Sequence, residues 1–318
     1  MCGNRNCIGL PRNLLAAFWV VFGALPLPAQ TSQVDRAQLF RANAPLGPVV
    51  PGVPSGEELG YATHSENDAD LGAQRILKKV EEYKAWTVQI GLPIYYTSNV
   101  ALVRSGEKDD VVFAPGLAVT YQPRITKTLF GEFSLQQQFF EYGEFEEFNF
   151  ASFDAIAGLV YYLPQFHNLT LRARYDFNRL TDDSFDEFFT NHELVFAAEL
   201  PFQFSRAHHL LLGGNVNISL EADPQQAQRN DYETFLGYAV SFSRSFSVDA
   251  TARLAVRDYR LGDRVDLSEL LSVSANYRIA DWLAVSAISS FAWNQSNHSV
   301  FDYKVANVGG AIAVTMRF

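Results

Sequence analysis

The chain is nearly free of cysteine. Its two, Cys2 and Cys7, fall in the first ten residues, and none follows. Positive charge is also scarce, with 25 Lys+Arg against 35 Asp+Glu and a formal charge of −10. A nucleic-acid binder shows a basic face, so that class is excluded. No long apolar run exists, and a mean hydropathy of −0.05 is too polar for a bundle of transmembrane helices. No Gly-Lys-Ser/Thr phosphate loop, dinucleotide glycine pattern or Gly-x-Ser-x-Gly elbow occurs. Aromatics are plentiful instead: 26 Phe and 14 Tyr argue against a mostly disordered chain.

Arg5 and Arg12 precede the apolar run Leu14 to Leu25, which has the length of a signal-peptide core and is short for a membrane-anchor helix, the alternative. Cleavage is expected near Ala29. It would remove both cysteines and both arginines, leaving 23 basic residues against 35 acidic ones, a charge of −12. Thiol catalysis, disulfides and cysteine–metal sites are then excluded from the mature protein. Residues 30–67, with four prolines between Ala44 and Pro54, read as an extended, mobile linker. Over 68–85, Leu71, Ile76, Leu77 and Val80 fall on one side at helical spacing, predicting a short amphipathic helix that serves as a plug, a docking element or a plain spacer.

From Trp86 the pattern changes to period two. Val308, Ile312, Val314, Met316 and Phe318 share one face, and Asn307, Gly309, Ala311, Thr315 and Arg317 the other. Segments at 86–102, 110–122, 127–140, 151–163, 168–179, 191–204, 208–220, 231–243, 246–259, 266–279, 282–295 and 302–318 repeat this design. Each apolar face continues for about ten residues, enough to cross a bilayer at barrel tilt. Links alternate between short turns, such as Pro164–His167 and Arg244–Ser245, and longer acidic loops, such as Glu141–Phe150, Leu180–Thr190 and Glu221–Asn230. Outward aromatics gather at segment ends, as interfacial girdles do. The prediction is an all-β, antiparallel up-and-down transmembrane β-barrel over 86–318, of about 12 strands, behind a short N-terminal helix and linker.

At this point the chain resembles the outer-membrane β-barrel proteins of Gram-negative bacteria. The most specific piece is the C-terminal run, with Ile312, Val314, Met316 and Phe318 at alternate positions and an aromatic last residue. It looks like the terminal-strand signal read by the barrel-assembly machinery. The resemblance implies an outer-membrane location, both termini periplasmic, and lipids and lipopolysaccharide as surroundings. It is weak for function, since barrels of unrelated activity share that signal.

The inward face carries the candidate site. Glu132, Asp154, Asp176, Glu193, Glu199 and Asp249 point in with Arg172, Arg174, Arg253 and Arg257, and Arg278 and Arg317 share their parity. Opposite signs on neighbouring strands can pair across the ladder. Such a set forms either a charged constriction that tunes solute passage or the filling of a closed barrel. His192-Glu193 opens like a zinc motif, but Phe196 stands where a second His is required. No metal, cofactor or catalytic residue is expected. The functional expectation is a passive channel for small polar solutes or ions, then a closed-lumen structural or surface-interaction barrel, with a barrel enzyme a distant third. The acidic loops are read as a solvated anionic surface, over the alternative of Ca²⁺ or Mg²⁺ shared with lipopolysaccharide phosphates, and their Phe145, Phe148, Phe185, Phe188 and Phe189 as packing over the mouth or a contact patch.

Overall fold

The computed structural model describes residues 34–37, 39, 83–205 and 207–318. The expected signal peptide and cleavage near Ala29 lie outside these residues, as do most of the linker and the 68–82 portion of the expected helix. Tyr83, Lys84 and Ala85 carry no helical structure.

Thirteen strands form one antiparallel sheet in sequence order: β1 (Trp86–Thr97), β2 (Asp110–Phe113), β3 (Gly116–Tyr121), β4 (Leu129–Tyr142), β5 (Phe150–Leu163), β6 (Leu169–Thr181), β7 (Glu187–Gln203), β8 (His208–Asp223), β9 (Arg229–Ser241), β10 (Phe246–Tyr259), β11 (Val265–Ala280), β12 (Leu283–Ser296) and β13 (Tyr303–Arg317). β2 and β3 both lie between β1 and β4, so they are two halves of one stave. The sequence reading ran this stave unbroken over 110–122. The break falls at Ala114-Pro115, where proline has no N–H for the ladder. Pairing of β1 with β13 closes the sheet into a 12-stave barrel. Main-chain bonds between Trp86 and Phe318, at 3.0 and 3.2 Å, finish the seam.

Burial is inverted relative to a water-soluble protein. Ile94, Leu135, Leu271 and Val308 are each more than half exposed, whereas Asp266, Asn294 and Asn307 are at most 2% exposed. Leaving each aliphatic side chain in water would forfeit about 2 kcal/mol, and a belt of them is stable only against lipid. Trp86 stacks on Tyr121 at 4.4 Å on the outer face of the rim that carries both barrel ends, here the terminal rim. No helix among the described residues is long and apolar enough to cross a membrane.

Links 122–128, 164–168, 204–207, 242–245 and 281–282 lie at the terminal rim. Those at the opposite, far rim are 98–109, 143–149, 182–186, 224–228, 260–264 and 297–302. The far-rim loops are shorter than the sequence suggested because the staves run on past the apolar belt. Phe150, Phe188 and Phe189, read as loop residues, belong to β5 and β7.

The other departure is at the N-terminal side. Val34–Ala37 is helical, as is Leu39, and all five residues are buried. This helix, α1, lies where the sequence reading placed an extended linker. Val34 and Ala37 join a cluster that includes Phe140, Tyr142, Phe150, Leu180, Phe189 and Ala222, which come from β4 to β8. Leu39 joins Leu102, Leu270, Ala292, Tyr303 and Val305, the last four from β11 to β13. Contacts on opposite walls place α1 across the lumen at the far rim. Apolar burial there outweighs the chain's preference for extension.

Candidate functional site

Alternation within each strand sets which charges share the face opposite the exposed apolar one, and the ten charges expected in the lumen are each buried or half-buried. Near the terminal rim, Arg172 of β6 reaches across β5 to Glu132 of β4 at 3.0 Å, and sideways to Glu199 of β7 at 3.4 Å. Arg174 pairs with Asp176 on its own strand at 3.1 Å. Asp154 accepts from Ser152 and from Asn178 at 2.8 Å. Glu193 accepts from Asn191, and Asp249 from Ser274 and Asn276. Arg253 binds Glu233 of β9 at 2.8 Å, with its guanidinium 5.4 Å from the Phe235 ring centre. Opposite signs on the neighbouring strands β6 and β7 pair as expected in Arg172 and Glu199. The ladder places Arg172 opposite Val160 and Ala197, so its longest reach is to Glu132, two strands away.

These side chains lie along the wall. Glycine makes room for inward rings beside them: a Cβ at Gly213 would strike the ring of Phe235, and one at Gly309 would strike the Ile94 carbonyl and Tyr95. Both are directly paired cross-strand positions. A large inward ring is thereby folded over its neighbour instead of projecting to the axis. Within the terminal rim a cleft of about 280 Å³ opens beside Ser245, Asn276, Arg278 and Thr315.

Arg257 does not join this group. It lies at the far rim, in a second and denser charge cluster built around α1. The Asp35 carboxylate accepts from Arg229 at 2.7 Å, Tyr259 at 3.2 Å and Arg264 at 3.3 Å. Arg229 also pairs with Asp231 at 2.9 Å, and Arg264 with Asp266. The Arg264 guanidinium sits 3.6 Å from the Phe301 ring centre and 4.0 Å from that of Tyr259. Arg257 is buried beside them, and its Nε and Nη1 have no hydrogen-bond partner. Burial alone would raise the Asp35 pKa, but Arg229, Arg264 and Arg257 outweigh it and hold the carboxyl below its ordinary range.

Arg36 is held less well. Its Nη1 donates to the Val100 carbonyl at 2.8 Å, and its guanidinium lies 4.1 Å from the Phe148 ring centre. Nε and Nη2 have no partner, and burial pulls its pKa down. Phe145, Phe148 and Phe188 pack against the cluster that holds α1, and Phe189 is inside it; Phe185 is exposed. His192 faces outward, 2.5 Å from the Tyr175 hydroxyl and against Phe177, as part of an aromatic girdle.

Ile312, Val314, Met316 and Phe318 share the outer face of β13 and its end, where Val314 pairs with Ile90 and Leu283. Sequence reasoning missed Asp35, Arg36, Arg229, Arg264 and Glu233. Parity would have found Glu233, which stands two residues from Phe235. The same parity reaches Arg229, four residues earlier on β9; Asp35 and Arg36 lie in a helix too short to show a period, and Arg264 lies in a loop.

No protein-family model matches the chain, and no curated protein sequence matches it. Solved structures share its fold. An outer-membrane channel from Pseudomonas putida F1 is similar with a TM-score of 0.54 at 10% identity, over 73% of this chain and 96% of that one. The translocator domain of autotransporter NalP from Neisseria meningitidis gives 0.43 at 11%, over 75% and 90%. The NanC porin gives 0.42 at 6%, over 71% and 98%. At such identities the likeness is one of fold, that of outer-membrane β-barrel proteins.

Proposed function

We propose that this chain is a passive outer-membrane channel for small polar solutes or ions, closed at rest by its own helix α1. The observation that carries the reading is a contrast between the two ends of the lumen. Toward the terminal rim the lumen charges are held by partners on their own and nearby strands, and a separate cleft opens beside Ser245, Asn276, Arg278 and Thr315. At the far rim α1 crosses from wall to wall. A barrel of about twelve strands falls between the filled eight-strand type and the open porins, so one short helix is enough to obstruct it. In this reading the terminal rim is periplasmic, the far rim faces outward, and residues 1–29 are a cleaved signal peptide. The outer strand face, with Val314 and Phe318, meets lipid and the barrel-assembly machinery. The lumen charges Arg172, Arg174, Glu132 and Glu199 set selectivity and perform no catalysis.

A second reading, a permanently closed structural barrel, is favoured by the two buried ion pairs through Asp35 that fix α1. Swelling of proteoliposomes in small uncharged solutes separates the two. The full chain should admit solute slowly, and Asp35→Ala several-fold faster. A folded protein that admits nothing in either form would leave the structural barrel.

A further inference from the structure

The far-rim cluster is built to hold a carboxylate, and at present the chain supplies one. Three arginines, Arg229, Arg257 and Arg264, face two wall carboxylates, Asp231 and Asp266, together with Asp35. Asp35 belongs to α1 and not to the wall. Without it, the wall keeps three cations and two anions, so one positive charge is uncompensated in a buried setting. The Tyr259 hydroxyl and the unpartnered Nε and Nη1 of Arg257 supply further donors. A buried charge left without a partner is costly, so the vacated site would draw in a single negative charge.

The second half of the site is apolar. Leu39 follows Asp35 by four residues, which on a helix puts both on one face about 5–6 Å apart. Leu39 occupies a pocket of Leu102, Leu270, Ala292, Tyr303 and Val305. Tyr303 joins the halves, since its ring lines the apolar pocket and its hydroxyl faces Arg257. Asp35 and Leu39 together present one carboxylate and one branched aliphatic group a helical turn apart.

We propose that Arg229, Arg257, Arg264 and Tyr259, with the pocket filled by Leu39, form a binding site for a small monocarboxylate bearing an apolar tail. Asp35 and Leu39 are its tethered occupant, and a solute of this class releases α1 by taking their place. The role as a gate rests on the channel reading; the site itself does not.

The test is calorimetric titration of the full-length, detergent-solubilised chain with 4-methylpentanoate, with acetate and the neutral amide of the same acid as controls. The wild type must exchange a tethered ligand, whose effective concentration lies in the millimolar range, so its affinity should be weak. In Asp35→Ala/Leu39→Ala the affinity should rise roughly tenfold or more, as that competitor is gone. Acetate should bind less tightly, the amide should not bind, and adding Arg257→Gln should abolish binding. Should the double variant fail to fold, Asp35→Asn keeps the side-chain shape, and the same direction is expected. Folded variants that bind 4-methylpentanoate no better than acetate or the amide would overturn the site, whatever their conductance. Tight, Arg257-dependent binding by a protein that never conducts would uphold the site and remove the channel.

Discussion

Asp35 and Arg36 are adjacent in sequence and opposed in their effect on α1. Asp35 is bound by Arg229, Arg264 and Tyr259, whereas Arg36 is buried on one hydrogen bond and an aromatic face. Each unsatisfied buried donor costs about 1–3 kcal/mol. Arg36→Met keeps the apolar stem and removes the charge. It should seat α1 more firmly, by roughly 1–3 kcal/mol, seen as a lower frequency of opening in bilayer recordings; more frequent opening would show that the cation stabilises docking. The pH dependence follows from Asp35. Its carboxyl is held below the ordinary 3.8 by the arginines, so its contribution to docking is complete above that value. The contribution is lost only as pH falls below it. Asp231, Asp266, Tyr259 and Tyr303 face the same arginines and stay in place. Opening should therefore be level between pH 7 and pH 5 and rise only under stronger acid, with the rise absent in Asp35→Asn. A rise centred near pH 6 in the wild type would assign the lock to another group.

Among the elements, the strands were the most legible, because a half-buried strand repeats its face every second residue over ten or more positions. β13 shows this at adjacent sites. Val314 faces out between Ile90 and Leu283, and Ala313 faces in toward the terminal-rim cleft. Val314→Asp should cost on the order of a few kcal/mol or less and lower the yield of heat-modifiable, folded barrel. Ala313→Asp should fold at close to wild-type yield. Equal losses from both would contradict the register of the seam. Strand ends were less legible. Beyond the apolar belt, β4, β5 and β7 continue with inward aromatics such as Tyr142, Phe150 and Phe189, and acidic neighbours there resemble loop composition. The break between β2 and β3 was passed over because Pro115 interrupts hydrogen bonding without disturbing the alternation. α1 was hidden by its length. Val34, Ala37 and Leu39 make too short a pattern to stand out beside a proline-rich stretch, and their partners are scattered from Val100 to Val305.

At the scale of the whole molecule, the polarity of the barrel decides which compartment meets the α1 lock. Epitope tags within 143–149 at the far rim should be reached by antibody on intact cells. Tags within 242–245 should require a permeabilised outer membrane. Surface labelling of 242–245 would invert the orientation and turn the carboxylate site toward the periplasm. Closure itself is tested most directly by single-channel current from the refolded full-length chain in planar bilayers, wild type against Asp35→Ala. The wild type should be closed for most of the record with brief openings. Asp35→Ala should be open for most of it at the same unit conductance, since the lumen wall is unchanged. Equal open times in the two folded proteins, or a wild type that conducts steadily, would contradict closure by α1.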